Sequence, residues 1–130
     1  MSGNSSGNTL PRILIADDEA ALRLLVHETL DSGAVEILEA GDGNEALDLA
    51  RTFHPRLVLL DVAMPGLNGY QVCEALKGDP ATRDIVIVML TAHSQGKDRE
   101  QAFASGTDYY ITKPFSPSQL MKLVAQAIPG

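Results

Sequence analysis

From residue 12 onward, short apolar runs alternate with segments in which apolar residues recur every three or four positions. Five runs have the length and character of β-strands: 13–16, 35–40, 57–60, 85–90 and 109–111. Each run is followed by a segment of helical spacing, and the last segment carries Leu120, Leu123, Val124, Ala127 and Ile128. Strands that alternate with helices predict an α/β fold with a parallel sheet and helices on both of its faces.

The composition of the strands predicts their order in the sheet. The first, third and fourth strands are almost wholly apolar, as expected of strands that are covered on both faces. The second strand carries Glu36 and Glu39, and Asp108 precedes the fifth, so these two belong at the edges. With right-handed crossovers, this pattern predicts a doubly wound, flavodoxin-like sheet of order 2-1-3-4-5. Ligands of such sheets bind at the carboxyl ends of the strands, where the first and third strands meet.

Polar residues that can carry chemistry stand at this edge of the predicted sheet. Asp17 and Asp18 follow the first strand, and Asp61 follows the third. Thr91 follows the fourth strand, and Lys113 comes shortly after the fifth. We expect these five side chains to converge into one site. An alternative for Asp17 and Asp18 is that they cap the first helix, but that alternative does not explain Asp61.

Three carboxylates at close range repel one another, so a cation is needed for all of them to stay charged. Oxygen ligands without a cluster of histidine or cysteine favour Mg²⁺ over zinc. Such a site can accept a phosphoryl group, and a carboxylate is a competent nucleophile towards phosphorus. Asp61 is the best candidate for the nucleophile because it lies between the other groups.

Four motifs give the chain a family resemblance: ADD after the first strand, LLDVAMPGLNG after the third, LTAH after the fourth and YYITKPF around the fifth. In this order they resemble the receiver domain of two-component response regulators, over residues 11–130. Residues 1–10 are predicted to be a disordered tail because the segment has too few apolar side chains to pack. The resemblance implies that Asp61 is the phosphoacceptor and that Asp18 and Asp61 bind Mg²⁺ directly. It further implies that Asp17 binds the metal mainly through water, and that the backbone carbonyl of Ala63 is also a ligand.

The resemblance also implies how the domain would signal. Thr91 and Lys113 match the residues that bind the phosphoryl group, and the bond between Lys113 and Pro114 is cis in relatives. Tyr110 matches the switch aromatic, whose ring moves inward with Thr91 and so changes the surface of the fourth helix, fifth strand and fifth helix. An alternative for Tyr110 is an edge-strand aromatic that covers the core. The implied partners are a histidine kinase or phosphotransfer protein, which supplies a phosphohistidine, and a downstream protein target.

Some residues fall outside the invariant pattern. Ala63 and His93 occupy positions that in the family tune how readily water reaches the acyl phosphate. His93 either acts on that water or is an exposed loop residue. Ala63 also disfavours a phosphatase, which needs a second aspartate there as a general acid, so no turnover of an external substrate is expected. A passive docking module is disfavoured because every matched site group is retained. Gly69 is expected to ease helix packing.

Composition sets the wider limits. The 130 residues suit one domain, and 17 acidic against 10 basic residues give a net charge of −7. This charge disfavours direct binding of nucleic acid, and the lone Cys73 is expected to fill core space. Without a signal peptide or an apolar run of membrane length, a cytoplasmic location is predicted. Because the sequence stops just after the fifth helix, we expect a single-domain regulator or a receiver cut from a larger protein, such as a hybrid kinase. Phosphorylation-dependent homodimerisation is left open.

Overall fold

Strands and helices alternate along the chain, as the apolar pattern predicts. The computed structural model describes residues 10–92 and 96–128. The strands are β1 (Arg12–Ala16), β2 (Glu36–Ala40), β3 (Leu57–Asp61), β4 (Val86–Thr91) and β5 (Tyr109–Thr112). The helices are α1 (Ala20–Leu30), α2 (Gly43–Phe53), α3 (Gly69–Lys77), α4 (Gly96–Ala104) and α5 (Pro117–Ala127). Within these ranges, no helix is both long and apolar enough to span a bilayer.

The sheet has the predicted order, β2-β1-β3-β4-β5, and every pair of neighbouring strands is parallel. The predicted fold class is therefore confirmed. β3 is buried along its whole length, whereas the edge strand β2 exposes Glu36 and Glu39. Strand boundaries differ from the predicted ones by a residue. Ile85, for example, donates its amide to Thr82 in the turn before β4 and so precedes the ladder, although its side chain is buried.

The core consists of two apolar layers, one on each face of the sheet. Alternate residues of β1 and β3 face opposite layers, as the pleat requires: Leu14 and Leu60 point to one, Ile15 and Leu59 to the other. The first layer is covered by α2, α3 and α4, and the second by α1 and α5. Cys73 lies fully buried in the first layer, and burial raises the pKa of its thiol. This placement agrees with its predicted part in the core.

Backbone hydrogen bonds continue past the ends of the strands and hold the following residues in line with the sheet. Three amides donate to a carbonyl of a neighbouring strand at 2.7 to 3.0 Å: Asp17 to Ala40, Val62 to Leu90, and Lys113 to Thr91. These bonds fix the direction of the backbone just after β1, β3 and β5, at the same edge of the sheet. The Lys113–Pro114 peptide bond is cis, as in the family that the sequence resembles.

The connection from β3 to α3 is held closely against the strand end. The amide of Gly69 donates to the carbonyl of Val62 at 2.9 Å. A Cβ atom on Gly69 would lie only 2.3 Å from the backbone oxygen of Asp61. Gly69 therefore permits the close approach of α3 to the end of β3, in agreement with its expected part in helix packing. The helix begins at a capping box in which Asn68 and Gln71 satisfy each other's backbone amides.

Candidate functional site

Three aspartates lie together at the carboxyl ends of β1 and β3. Asp17, Asp18 and Asp61 each offer a carboxylate oxygen, and these three oxygens lie within 4.8 Å of one another. Asp17 is completely buried and Asp61 is 5% exposed, whereas Asp18 is exposed. The sequence predicts this convergence, because the carboxyl ends of parallel strands meet at one edge of the sheet.

Lys113 joins the buried carboxylates from the end of β5. Its Nζ atom lies 2.8 Å from Oδ2 of Asp17 and 3.1 Å from Oδ1 of Asp61. The exposed carboxylate of Glu19 is further away, at 3.8 Å. One ammonium thus faces several carboxylates, and the cluster keeps an excess of negative charge.

The pKa values of the two central groups reflect this arrangement. Burial raises the pKa of Asp61, the negative charge of Asp17 raises it further, and the hydrogen bond and charge of Lys113 oppose the rise. Burial alone would lower the pKa of Lys113, but its hydrogen bonds to Asp17 and Asp61 outweigh that effect and raise it. The site thus holds a charged ammonium beside a carboxylate whose negative charge is disfavoured.

Capping of the first helix does not explain the paired aspartates. The N-cap residue of α1 is Glu19, and its side chain makes no capping hydrogen bond. Asp17 accepts the amide of Glu19 with Oδ1 at 2.9 Å, but its other oxygen accepts from Lys113. The carboxylate of Asp18 makes no hydrogen bond within the part of the chain that the structure describes. The capping alternative is therefore wrong.

A cleft opens above the aspartates, with a volume of about 320 Å³. The residues that line it come from the ends of four strands: Asp18, Glu19, Asp61, Val62, Ala63, Thr91, Ala92 and Lys113. Thr91 is almost fully buried in this wall, at 4% exposure. Ala63 contributes its backbone and a methyl group, so the wall has no polar side chain there. His93, for which the sequence left two roles open, lies outside the described residues.

The side chain of Tyr110 projects from β5 towards the first core layer. Its half-buried ring packs against that layer. The ring meets Phe103 of α4 edge-on, with centroids 5.7 Å apart, and the guanidinium of Arg99 lies 5.6 Å from its centroid. These contacts agree with an aromatic that covers the core. The switch role stays a prediction.

The donor set of the acidic cluster fits a hard divalent cation. The three side-chain donors are all carboxylate oxygens, and no histidine or cysteine joins the cluster among residues 10–92 and 96–128. Mg²⁺ prefers oxygen ligands and binds through few carboxylates, with water in the remaining positions. Because Asp18 is exposed and borders the cleft, such an ion would be accessible from solvent.

Two residues that contribute to the site were not placed there by the sequence analysis. Glu19 lines the cleft and faces Lys113, and its position directly after two aspartates was an available signal. Gly69 lies against the carbonyl of Asp61, the predicted phosphoacceptor. A glycine at the start of a helix does not by itself indicate such a contact, since the partner is a strand end.

Comparison with known proteins identifies the family. The model of the response regulator receiver domain matches residues 13–125. The chain belongs to this family. The predicted family is thus confirmed, and the matched range lies within the predicted domain, residues 11–130. Receiver domains of this family are components of two-component systems.

Relatives of the receiver domain include longer regulators. It is 43% identical over 109 residues to the probable transcriptional regulator ycf27 of Porphyridium aerugineum, a match that covers 84% of this chain and 44% of the relative. It is 40% identical over 115 residues to the DNA-binding dual master transcriptional regulator RpaA of Synechocystis, covering 88% of this chain and 48% of that protein. The chain thus spans about half the length of the curated relatives it matches.

Solved receiver structures share the fold. The chemotaxis protein CheY4 of Vibrio cholerae superposes with a TM-score of 0.86 at 28% identity, covering 92% of this chain and all of that one. The similarity of fold therefore extends over the whole of that chain and over 92% of this one.

Proposed function

We propose that this receiver domain is a phosphorylation-operated signalling switch, with Asp61 as the phosphoacceptor. The observation that carries the proposal is the position of Asp61. Its buried carboxylate lies 3.1 Å from the ammonium of Lys113 and close to two other aspartates, at the floor of an open cleft. A nucleophile for phosphoryl transfer needs this combination of access and nearby groups that bind phosphoryl oxygens.

The phosphoryl group would come from a phosphohistidine of a histidine kinase or phosphotransfer protein. An oxygen of Asp61 forms a bond to phosphorus while the bond from phosphorus to the histidine nitrogen breaks. The electron pair of that bond leaves with the imidazole, which takes a proton from solvent. Water later hydrolyses the acyl phosphate, which returns the carboxylate and releases inorganic phosphate. No external substrate is turned over in this cycle.

Mg²⁺ is the cofactor that the site fits. Asp18 and Asp61 would hold it directly, Asp17 mainly through water, and Ala63 through its backbone carbonyl. When bound, the ion offsets the carboxylate charges and binds phosphoryl oxygens. Lys113 and the hydroxyl of Thr91 then take the remaining phosphoryl oxygens from the opposite wall of the cleft.

Movement of Thr91 towards the phosphoryl group would free space for the ring of Tyr110, which now packs against Phe103 and Arg99. The ring is attached to β5 and touches α4, so a change of its position alters the surface formed by α4, β5 and α5. A downstream protein or a second copy of the domain would recognise that surface. We place this function in the cytoplasm.

The receiver domain can also be part of a longer protein, here called the parent protein. Curated relatives of about twice the length are named as transcriptional regulators, one of them DNA-binding. A parent of that kind would bind DNA through a segment outside these 130 residues, while the acidic receiver would not. A hybrid kinase and a regulator that consists of this domain alone are the alternatives. The sequence that flanks this domain in its gene distinguishes the three.

Incubation with acetyl phosphate and Mg²⁺, followed by intact mass spectrometry, tests the phosphoacceptor. We expect one phosphoryl group that is stable in acid and labile in base. Asp61→Asn should abolish it, whereas Asp48→Asn, an exposed change on α2, should not. A wild-type protein that gains no phosphoryl group would indicate a passive docking module, and sustained hydrolysis of a phosphomonoester would indicate a phosphatase.

Two further variants test the switch. Lys113→Ala should still accept phosphate to some extent, because the aspartates remain, but it should signal poorly. Thr91→Ala should be phosphorylated, but it should lack the change in the NMR signals of the Tyr110 ring that we expect in the phosphorylated wild type. Wild-type partner binding by phosphorylated Lys113→Ala would contradict the role given to Lys113.

A further inference from the structure

Asp18 is the least supported of the three clustered aspartates. It is exposed, and its carboxylate has no hydrogen-bond partner in the described parts of the chain. Asp17, by contrast, accepts from Glu19 and Lys113, and Asp61 lies beside Lys113. The direction of the Asp18 side chain therefore depends on the backbone that carries it.

An arginine of α1 holds that backbone. Nη1 of Arg23 donates to the carbonyl oxygen of Asp17 at 2.7 Å. This carbonyl belongs to the peptide unit that joins Asp17 to Asp18. A charged donor at this distance makes one of the stronger hydrogen bonds in proteins. The bond therefore sets the orientation of the peptide unit from which Asp18 projects.

Arg23 is itself held in place from β2. Its Nε atom donates to Oε1 of Glu39 at 3.1 Å, and the other oxygen of Glu39 lies 3.1 Å from Nδ1 of His27. Arg23 and His27 are one turn apart on α1, so both reach the same glutamate. The amide of Asp17 also donates to β2, at Ala40. Both polar groups of the Asp17 backbone are thus tied, directly or through Arg23, to one edge strand.

We propose that Arg23 is a positioning residue for the candidate Mg²⁺ site, acting as a bridge from Glu39 to the Asp17 carbonyl that orients Asp18. The inference rests on the proposed function, since it assumes that Asp18 binds the metal. Arg23 does not line the cleft, so its effect passes through the backbone between Asp17 and Asp18. Arginine suits this task because its Nε and Nη1 atoms reach two acceptors at once, whereas lysine has one ammonium.

The chain offers a closely matched control. Arg12 also pairs through Nε with a glutamate of β2, Glu36, at 2.7 Å. That pair lies at the amino end of the same two strands, where Arg12 faces Glu36 in the ladder, remote from the aspartates. Exposed ion pairs of this type contribute little to stability. Arg12→Met therefore removes an equivalent pair without touching the site.

Mg²⁺ titration of the unphosphorylated protein, followed by amide NMR shifts, is the direct test. Replacing residues that orient metal ligands weakens metal binding by about 10-fold or more. We expect the Mg²⁺ affinity to fall by that factor in Arg23→Met and to stay unchanged in Arg12→Met. Arg23→Lys should bind Mg²⁺ as weakly as Arg23→Met, because it keeps the charge without the bridge. All three variants should stay folded without urea. The urea midpoint should be lower in Arg23→Met than in Arg12→Met, because only the former loses a charge-assisted hydrogen bond to a part-buried carbonyl.

Phosphorylation by acetyl phosphate supplies a second readout. Raising the Mg²⁺ concentration should restore the rate of Arg23→Met to that of the wild type, since its nucleophile and Lys113 are intact. Wild-type Mg²⁺ affinity in Arg23→Met or Arg23→Lys would overturn the bridge, as would a phosphorylation defect that excess Mg²⁺ does not correct. If the wild type binds no Mg²⁺, the proposed function itself fails rather than this inference.

Discussion

The acidic cluster should make the metal-free protein less stable than it would be without the charge of Asp61. We predict that Asp61→Asn, which keeps the shape of the side chain and removes its charge, raises the free energy of unfolding in metal-free buffer at neutral pH. The raised pKa of Asp61 points in the same direction, because a raised carboxyl pKa means that the folded protein disfavours the charged form of the side chain.

The size of the effect follows from the distances. At the upper separation of 4.8 Å, an effective dielectric constant of about 20 gives roughly 3 to 4 kcal/mol of repulsion between Asp61 and Asp17. Asp18 adds less because it is exposed to solvent. With the same dielectric constant, the attraction between Lys113 and Asp61 at 3.1 Å offsets this repulsion by roughly 5 kcal/mol. These charge effects nearly cancel, and the cost of burying Asp61 tips the balance. We therefore expect Asp61→Asn to raise the free energy of unfolding, by less than the roughly 3 to 4 kcal/mol of repulsion that the substitution removes.

The gain should depend on pH in a defined direction. Because the pKa of Asp61 in the folded protein lies above its ordinary value of 3.8, the folded state binds this proton more tightly than the unfolded state does. The penalty is fully present above the folded-state pKa, and it disappears as the pH falls through that value towards 3.8. The difference in stability between Asp61→Asn and the wild type should therefore narrow as the pH is lowered.

Urea unfolding followed by far-ultraviolet circular dichroism, in the presence of a chelator, measures the change. Asp48→Asn, an exposed change on α2, is the control and should match the wild type. Added Mg²⁺ should reverse the order, since a ligand at 100 times its dissociation constant stabilises by about 2.7 kcal/mol and the variant has lost one ligand charge. The reasoning is refuted if metal-free Asp61→Asn is no more stable than the wild type, because the attraction of Lys113 would then outweigh repulsion and burial.

Three further predictions concern single positions near the site or in the core. Gly69→Ala should cost about 1 to 3 kcal/mol and slow phosphorylation, because its Cβ would lie 2.3 Å from the Asp61 carbonyl. Gly96→Ala, where a Cβ meets nothing within 4 Å, is the control in the same denaturation and phosphorylation assays. Asn68→Ala should cost about 1 kcal/mol by loss of the α3 cap, measured as a lower urea midpoint with an unchanged slope. Cys73 should react with a thiol reagent only as fast as the protein opens, since the thiol is buried and its pKa is raised; rapid reaction of the native protein would contradict its position in the core.

The sequence alone determined the fold and most of the site. The periods of apolar residues distinguish strands from helices, and Glu36 and Glu39 mark an edge strand because a buried strand has no room for charge. Once the order of the sheet follows, the position of Asp61 and Thr91 at the ends of their strands brings them to one edge. The start of α5 is also predictable, because Ser116 and Gln119 form a capping box. Such a box involves residues only three positions apart, so the local sequence is sufficient to identify it.

Only the tertiary structure decided which groups touch. Whether Asp17 caps a helix or serves the site depends on Lys113, which lies 96 residues away. The bond from Arg23 to the Asp17 carbonyl exists because α1 turns back along β2, where Glu39 holds the guanidinium. Gly69 is required by the close approach of α3 to the end of β3. The contacts of Asp17 and Arg23 are hydrogen bonds of 2.7 to 3.1 Å between groups that are not neighbours in the chain. A pattern of residue types along the sequence does not contain such distances.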